Sequence, residues 1–248
     1  MRAKIIAIAN HKGGVGKTSS VASIGAILAS KGKHVLLIDL DTQANLTMHF
    51  MQQIPPRIIY HSIRERANLP IYPIRKNLDI VPSGLDMAGI EVEMTMMRRR
   101  EDIIKELLEP IKNNYDFILM DCPPSLGLIT MNAISAADRL VVPMLADLMS
   151  SYGLSMMDRF CADLQDLNRG IHIDAIFFTK YASGVNMTNV VEEDVRKKYG
   201  ERVLKHTVRK NVKVSEAAFS FTDVTSYDPT CAGAQDYIAV TEELLEML

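Results

Sequence analysis

The stretch Asn10-His11-Lys12-Gly13-Gly14-Val15-Gly16-Lys17-Thr18 concentrates the residue types that handle phosphate: glycines, lysines and a threonine hydroxyl. Glycines let a backbone wrap until its N–H groups point at phosphate oxygens. The helix-like run that follows at once, Ser19-Ser20-Val21-Ala22-Ser23-Ile24, would add the positive end of its dipole. In such a loop Lys17 reaches the β- and γ-phosphates and the Thr18 hydroxyl coordinates Mg²⁺, while Gly13, Gly14, Val15, Gly16 and Ser19 complete the cradle. Read as Gly-x4-Gly-Lys-Thr ending at Thr18, the motif has His11 in place of its first glycine, and Lys-Gly-Gly-Val-Gly-Lys-Thr remains. A plain glycine turn would also join a strand to a helix. Strand, loop, Lys-Thr and helix in that order favour phosphate.

Acids sit where they could serve that phosphate. Asp39 and Asp41 are two apart at the end of an apolar run, so an extended chain points both to one side. Asp121 closes Phe117-Ile118-Leu119-Met120, and an acid there places a carboxylate at the carboxyl edge of a sheet, where open α/β sheets bind ligands.

The elements that must position these groups are legible as alternation. Strand-like runs at 4–10, 34–39, 78–82, 117–121, 139–144, 172–179 and 202–207 alternate with helix-like segments at 18–31, 86–113 (as one helix or two), 128–137, 151–167, 188–199 and 231–247. Most of the strands are too continuously apolar to face water, so both faces are covered. The expected fold is α/β: a doubly wound, mostly parallel twisted sheet flanked by helices on both faces. The proline-rich stretch 52–76 reads as a surface excursion, and Arg98-Arg99-Arg100 as a helix surface with pairs such as Glu101–Lys105.

Composition bounds the class. At 248 residues, 48% hydrophobic and 23% charged, the chain is globular, and a disulfide scaffold would need more than its 3 cysteines. Cys122, Cys161 and Cys231 stand in no metal-ligand spacing and read as packing residues. The apolar runs fall far short of the ~20 residues of a membrane span, and no signal peptide fits before the first strand. A cytoplasmic protein of one domain is expected, without a separate N-terminal DNA-binding domain. Net charge is −2, yet residues 196–213 hold eight Lys and Arg against Glu201, and residues 214–248 hold seven acids and no Lys or Arg.

Lys12 narrows the class. Lys-Gly-Gly-Val-Gly-Lys-Thr resembles the deviant Walker A motif of the ParA/MinD superfamily of P-loop ATPases. The resemblance continues in Asp39-Leu40-Asp41-Thr42-Gln43-Ala44-Asn45, with Thr42 where proline is usual, and in Asp121-Cys122-Pro123-Pro124-Ser125-Leu126-Gly127. It covers nearly the whole chain. It implies ATP and Mg²⁺ as cofactors and a homodimer formed on ATP binding, in which Lys12 reaches the phosphates of the partner subunit. By the same resemblance Lys12, Lys17 and Asp41 are catalytic, Asp41 orienting the attacking water, and Thr18, Asp39 and Asp121 form the metal site.

The segment Lys205–Ala217 and Tyr227-Asp228-Pro229 with Gly233-Ala234 is similar to the ParA/Soj branch, with Arg209-Lys210 replacing the usual Pro-Arg and Ala218-Phe219 replacing Pro-Ser. That branch implies DNA segregation with a ParB-like centromere-binding adaptor. Nonspecific DNA would be held through Arg196, Lys197, Arg209, Lys210 and Lys213 in a nucleoid-associated protein. The acidic C-terminus lacks the cations of a MinD-like membrane helix, and Cys122 and Cys161 do not resemble an iron–sulfur arrangement. A spatial regulator that positions a protein cargo is the alternative.

Overall fold

In a computed structural model, which describes residues 2–184 and 186–247, seven strands form one sheet. They are β1 (Lys4–Ile8), β2 (Val35–Asp39), β3 (Tyr72–Arg75), β4 (Leu78–Val81), β5 (Phe117–Asp121), β6 (Arg139–Met144) and β7 (Ile173–Phe178), in the order β3-β4-β2-β5-β1-β6-β7. Every neighbouring pair is parallel except β3–β4.

Strand alternation divides the core in two. Ile5 and Ala7 of β1, Leu36 and Ile38 of β2, and Ile118 and Met120 of β5 pack into one layer. Ile6 and Ile8, Val35 and Leu37, and Leu119 pack into the other. Both faces are apolar because both are covered by helices, as the sequence implied.

On one face lies α1 (Lys17–Ser30), buried along most of its length. It approaches the sheet so closely that a Cβ at Gly25 would lie 2.5 Å from a Leu37 methyl. The short α2 (Asn45–Phe50) follows β2, and α3 (Ile59–Glu65) precedes β3. On the opposite face α3 is joined by α4 (Ile90–Thr95), α5 (Ile103–Leu108), α6 (Leu128–Ala136) and α7 (Leu148–Asp163). The chain continues through α8 (Asn186–Tyr199), α9 (Val212–Phe219) and α10 (Val224–Tyr227) to α11 (Ala232–Met247), which packs on α1.

Three expectations are corrected. Residues 202–207 form no strand: Leu204 N–H donates to the Ile176 carbonyl, but the N–H groups of Lys205 and His206 donate to the Glu243 carboxylate, so the ladder with β7 reduces to an isolated bridge at Val203. The stretch 52–76 is not mere excursion. It contributes Ile59 and Ile63 of α3 to the core and, despite Pro73, an antiparallel edge strand, where a missing N–H costs least. Residues 86–113 form two helices, α4 and α5, after a 3₁₀ turn (Leu85–Gly89), and the expected helix surface at Arg98–Arg100 is the part that is corrected. Arg98–Arg100 lie in the turn between these helices, with Arg99 at φ 49°. Its partners are Asp102 and Glu106, and Arg100 pairs with Glu101.

Candidate functional site

The phosphate-type loop lies between the β1 end and α1, with Gly14 (φ 73°) and Gly16 (φ 83°) in the left-handed region that an L side chain resists. Gly16 caps α1. The Asn10 side chain is buried, donates to the Pro143 carbonyl at 2.9 Å and accepts the Lys12 N–H at 2.9 Å, anchoring the loop at its root. Lys17, 7% exposed, donates Nζ to the carbonyls of Asn10 (3.2 Å) and Lys12 (3.1 Å). Burial holds its pKa below the ordinary value against the pull of Asp121, Cys122 and Asp41.

Asp39 and Asp121 stand side by side because β2 and β5 pair in register there. Their environments differ. Asp39 Oδ2 accepts from Thr47 N–H (2.8 Å) and from the Thr47 hydroxyl (2.7 Å), and Oδ1 accepts from Asp41 N–H. Burial still raises the Asp39 pKa to about 6, against those hydrogen bonds. Asp121, 1% exposed, has no hydrogen bond to either carboxylate oxygen, although the Thr18 hydroxyl is beside it. Desolvation, and then the Asp39 charge, push its pKa well up.

An orphaned buried carboxylate next to a second one, with a threonine hydroxyl at hand, is a donor set that fits a hard dication. Among the described residues no cluster of three or more His, Cys, Asp or Glu could hold a metal by itself. Mg²⁺ is commonly held by one or two carboxylates plus substrate phosphates.

This geometry carries a stability prediction. Because the folded Asp121 pKa is raised, its penalty is absent below the unfolded value and grows as pH rises through the folded one. Asp121→Asn is therefore expected to melt higher than wild type in nucleotide-free buffer, by a few degrees, with the gap opening from pH 4 to pH 8. Thermal melts across that range check it, and a gap that closes with rising pH would refute the charge argument.

Asp41 is 9% exposed. Its Oδ1 accepts the Gln43 N–H at 3.0 Å, and its carbonyl accepts from the Ser83 hydroxyl at 2.7 Å. Ser83 N–H in turn donates to the Thr47 hydroxyl at 2.8 Å. A relay from β4 through Thr47 to Asp39 thus holds the segment that presents Asp41. Ser83 had no sequence signal, since its partners Thr47 and Asp41 are 36 and 42 positions away, and Thr47 reaches back eight positions to Asp39.

Lys12 bonds Asp147 with Nζ at 2.6 and 2.9 Å. Burial would raise the Asp147 pKa, but the Lys12 ammonium and the Ser150 N–H hold it below its usual value. Asp147 also caps α7, the one role its sequence spacing could have announced. Gly13, Gly14, Gly16, Lys17, Thr18, Ser19, Asp41 and Asp147 all line one open cleft of about 1060 Å³. Val15 is buried beneath it.

The cations expected to meet DNA are largely engaged. Arg196 pairs with Glu192 at 2.7 Å and donates to the carbonyls of Val203 and Leu204. Arg209 pairs with Asp236 at 2.7 Å and Lys213 with Glu216 at 2.8 Å. Lys197 and Lys210 are exposed and enter no ion pair among the described residues. Cys122 and Cys161 are buried, with burial raising both thiols, as packing residues should be.

A family described as an AAA domain matches residues 3–173. The chain is 37% identical to the sporulation initiation inhibitor protein Soj of Bacillus subtilis, over 97% of this chain and 98% of that protein. The chain belongs to the Soj/ParA family. Similarity extends to the chromosome-partitioning ATPase Soj of Treponema pallidum, 34% identical over 98% of this chain and 97% of that one. A crystal structure of a plasmid partition protein from Borrelia burgdorferi bound to AMPPNP superposes with a TM-score of 0.87 at 26% identity, over the whole of both chains. Among the described residues no helix is long and apolar enough to cross a membrane.

Proposed function

We propose that this Soj/ParA-family chain is a Mg²⁺-dependent ATPase for DNA partition. The observation that carries the proposal is a left-handed glycine loop that holds the buried Lys17 ammonium within electrostatic reach of the orphaned Asp121 carboxylate. Gly13 to Ser19 hold the phosphates by backbone N–H groups, and Lys17 neutralises them within its own subunit. Thr18 and Asp121 would hold the metal, with Asp39 behind them. Mg²⁺ there would supply charge neutralisation across the β- and γ-phosphates. Asp41 orients the attacking water. ATP turnover with and without Mg²⁺ tests this reading, and turnover indifferent to Mg²⁺ would sink it.

Lys12 then acts in trans. ATP bridges two copies into a homodimer, and Lys12 leaves Asp147 to meet the phosphates of the partner subunit, making hydrolysis depend on dimerisation. Asp147→Asn keeps a cap for α7 but frees Lys12. The pair is partly solvated, so the expected gain is modest: ATP-dependent dimers about threefold tighter. Sedimentation with a slowly hydrolysed ATP analogue measures it, and weaker dimers would refute the latch.

On this reading the dimer is nucleoid-associated, grips nonspecific DNA and is released by a ParB-like adaptor. Lys197 and Lys210 are the cations left for phosphates, and Arg209, Lys213 and Arg196 contribute only if their acids yield. Lys197→Glu with Lys210→Glu should weaken all DNA sequences alike and flatten the salt dependence, each phosphate contact accounting for a log–log slope of about −0.9. Anisotropy titrations with and without ATP decide the matter. The engagement of those three arginines and lysines favours, as a second reading, a regulator that positions a protein cargo. DNA binding absent even at low salt would select it.

A further inference from the structure

The loop that follows β7 is built onto the phosphate loop. The Thr179 hydroxyl, buried, donates to the Val15 carbonyl at 2.7 Å, and the Lys180 ammonium donates to the Gly14 carbonyl at 2.8 Å. Lys180 adopts φ 48°, a left-handed conformation uncommon for a residue with a side chain. In a trans peptide the carbonyl of one residue and the N–H of the next point in opposite directions. Two consecutive carbonyls pinned by Thr179 and Lys180 therefore turn the N–H groups of Val15 and Gly16 the other way, toward the cradle.

Lys180 also occupies a particular end of the cleft. Asp41 and Asp121 mark the end where the terminal phosphate must lie. In the sheet order β2 and β5, which lead to Asp41 and Asp121, lie on one side of β1 and β7 on the other, and on the β7 side the cleft is lined by Lys180, Tyr181 and Ala182 together with Val208, Arg209 and Asn211. These two segments are tied together, since Tyr181 N–H donates to the Val208 carbonyl at 2.9 Å and Val208 N–H to the Phe178 carbonyl at 2.8 Å. A nucleotide with its phosphates on the cradle has its base at this end. The methylenes of Lys180 run from there to the phosphate loop.

We propose that Lys180 is a positioning residue that joins the two ends of the nucleotide site, its ammonium fixing the Gly14–Val15 peptide for phosphate and its aliphatic stem forming a wall for the base. The proposal rests on the reading of the cleft as an ATP site. Lys180→Met keeps most of the stem and loses the ammonium, whereas Lys180→Ala loses both. Neither replacement is β-branched, so each meets the positive φ at a cost similar to that of lysine.

The experiment compares equilibrium binding of ATP and of inorganic tripolyphosphate, each with Mg²⁺, in wild type, Lys180→Met, Lys180→Ala and Lys180→Arg. It adds hydrogen–deuterium exchange over residues 12–18 of the nucleotide-free proteins. Lys180→Met is expected to weaken both ligands about tenfold, the scale of one charge-assisted hydrogen bond, and to speed exchange in the loop. Lys180→Ala should lose about fivefold more for ATP and nothing more for tripolyphosphate, and Lys180→Arg should recover most of both.

Wild-type tripolyphosphate affinity and unchanged loop exchange in Lys180→Met would overturn the strap. Equal ATP affinities in the Met and Ala variants would overturn the base wall. A folded wild type that binds neither ligand would refute the ATP site, while loop exchange in Lys180→Met would still decide the strap.

Discussion

Lys17→Ala is expected to remove ATP binding almost entirely, by about 10³-fold, while Lys12→Ala spares most of it. The two lysines lie five positions apart in one loop, and their surroundings differ. Lys17 is buried on the cradle floor, bonded to the Asn10 and Lys12 carbonyls and surrounded by Asp41 and Asp121. Its removal withdraws two charge-assisted contacts to phosphate, each typically about 1.5–3 kcal/mol, and exposes the nucleotide to two unopposed carboxylates. Lys12 points instead along the cleft rim to Asp147, with 29% of its side chain exposed. Its loss leaves the cradle of its own subunit intact and removes the cation owed to the partner. Titration calorimetry with ATP, paired with sedimentation in a slowly hydrolysed analogue, separates the roles. A Lys17→Ala protein that binds ATP within tenfold of wild type would refute the cradle assignment. A Lys12→Ala protein with normal dimers and turnover would refute the trans role.

The phosphate loop and the strand-end acids were legible because local chemistry writes them: glycine φ freedom, a helix start and an apolar strand closing on an acid all fit within a few residues. The doubly wound sheet was equally plain, since a strand buried on both faces must be apolar at every position, as Val35–Ile38 are. What escaped was held by partners far along the chain. Nothing near Thr47 announces Ser83, and nothing near Lys180 announces Gly14, 166 positions away.

The same cause produced the misread segments. Lys205 and His206 have the pattern of a strand, but Glu243, 37 and 38 positions on, takes their N–H groups. In the basic block from 196 to 213 the distant partner is Asp236, 27 positions from Arg209, whereas Glu192 and Glu216 meet Arg196 and Lys213 within one helical turn. Charge runs report net charge faithfully and say little about which cations remain available.

Asp41→Ala is expected to lower ATP turnover by about 10²–10⁴-fold, the usual contribution of a carboxylate that serves the attacking water, while ATP affinity stays within about threefold of wild type. The structure explains why the two effects separate. Asp41 is held chiefly through its backbone: its N–H donates to Asp39 and its carbonyl accepts from Ser83, so the segment keeps its place without the side chain. The contact that the substitution removes is the one from Gln43 N–H to Oδ1. Asp41→Asn restores that acceptor without the negative charge. If the charge on the water is what matters, Asn and Ala variants turn over equally slowly; if Asp41 acts only by holding Gln43, the Asn variant recovers. In both slow variants ATP itself should sustain the dimer, because the sandwich forms and is not consumed. Single-turnover hydrolysis under saturating ATP, read beside sedimentation, supplies the comparison, and wild-type turnover in Asp41→Ala would remove this residue from the chemistry.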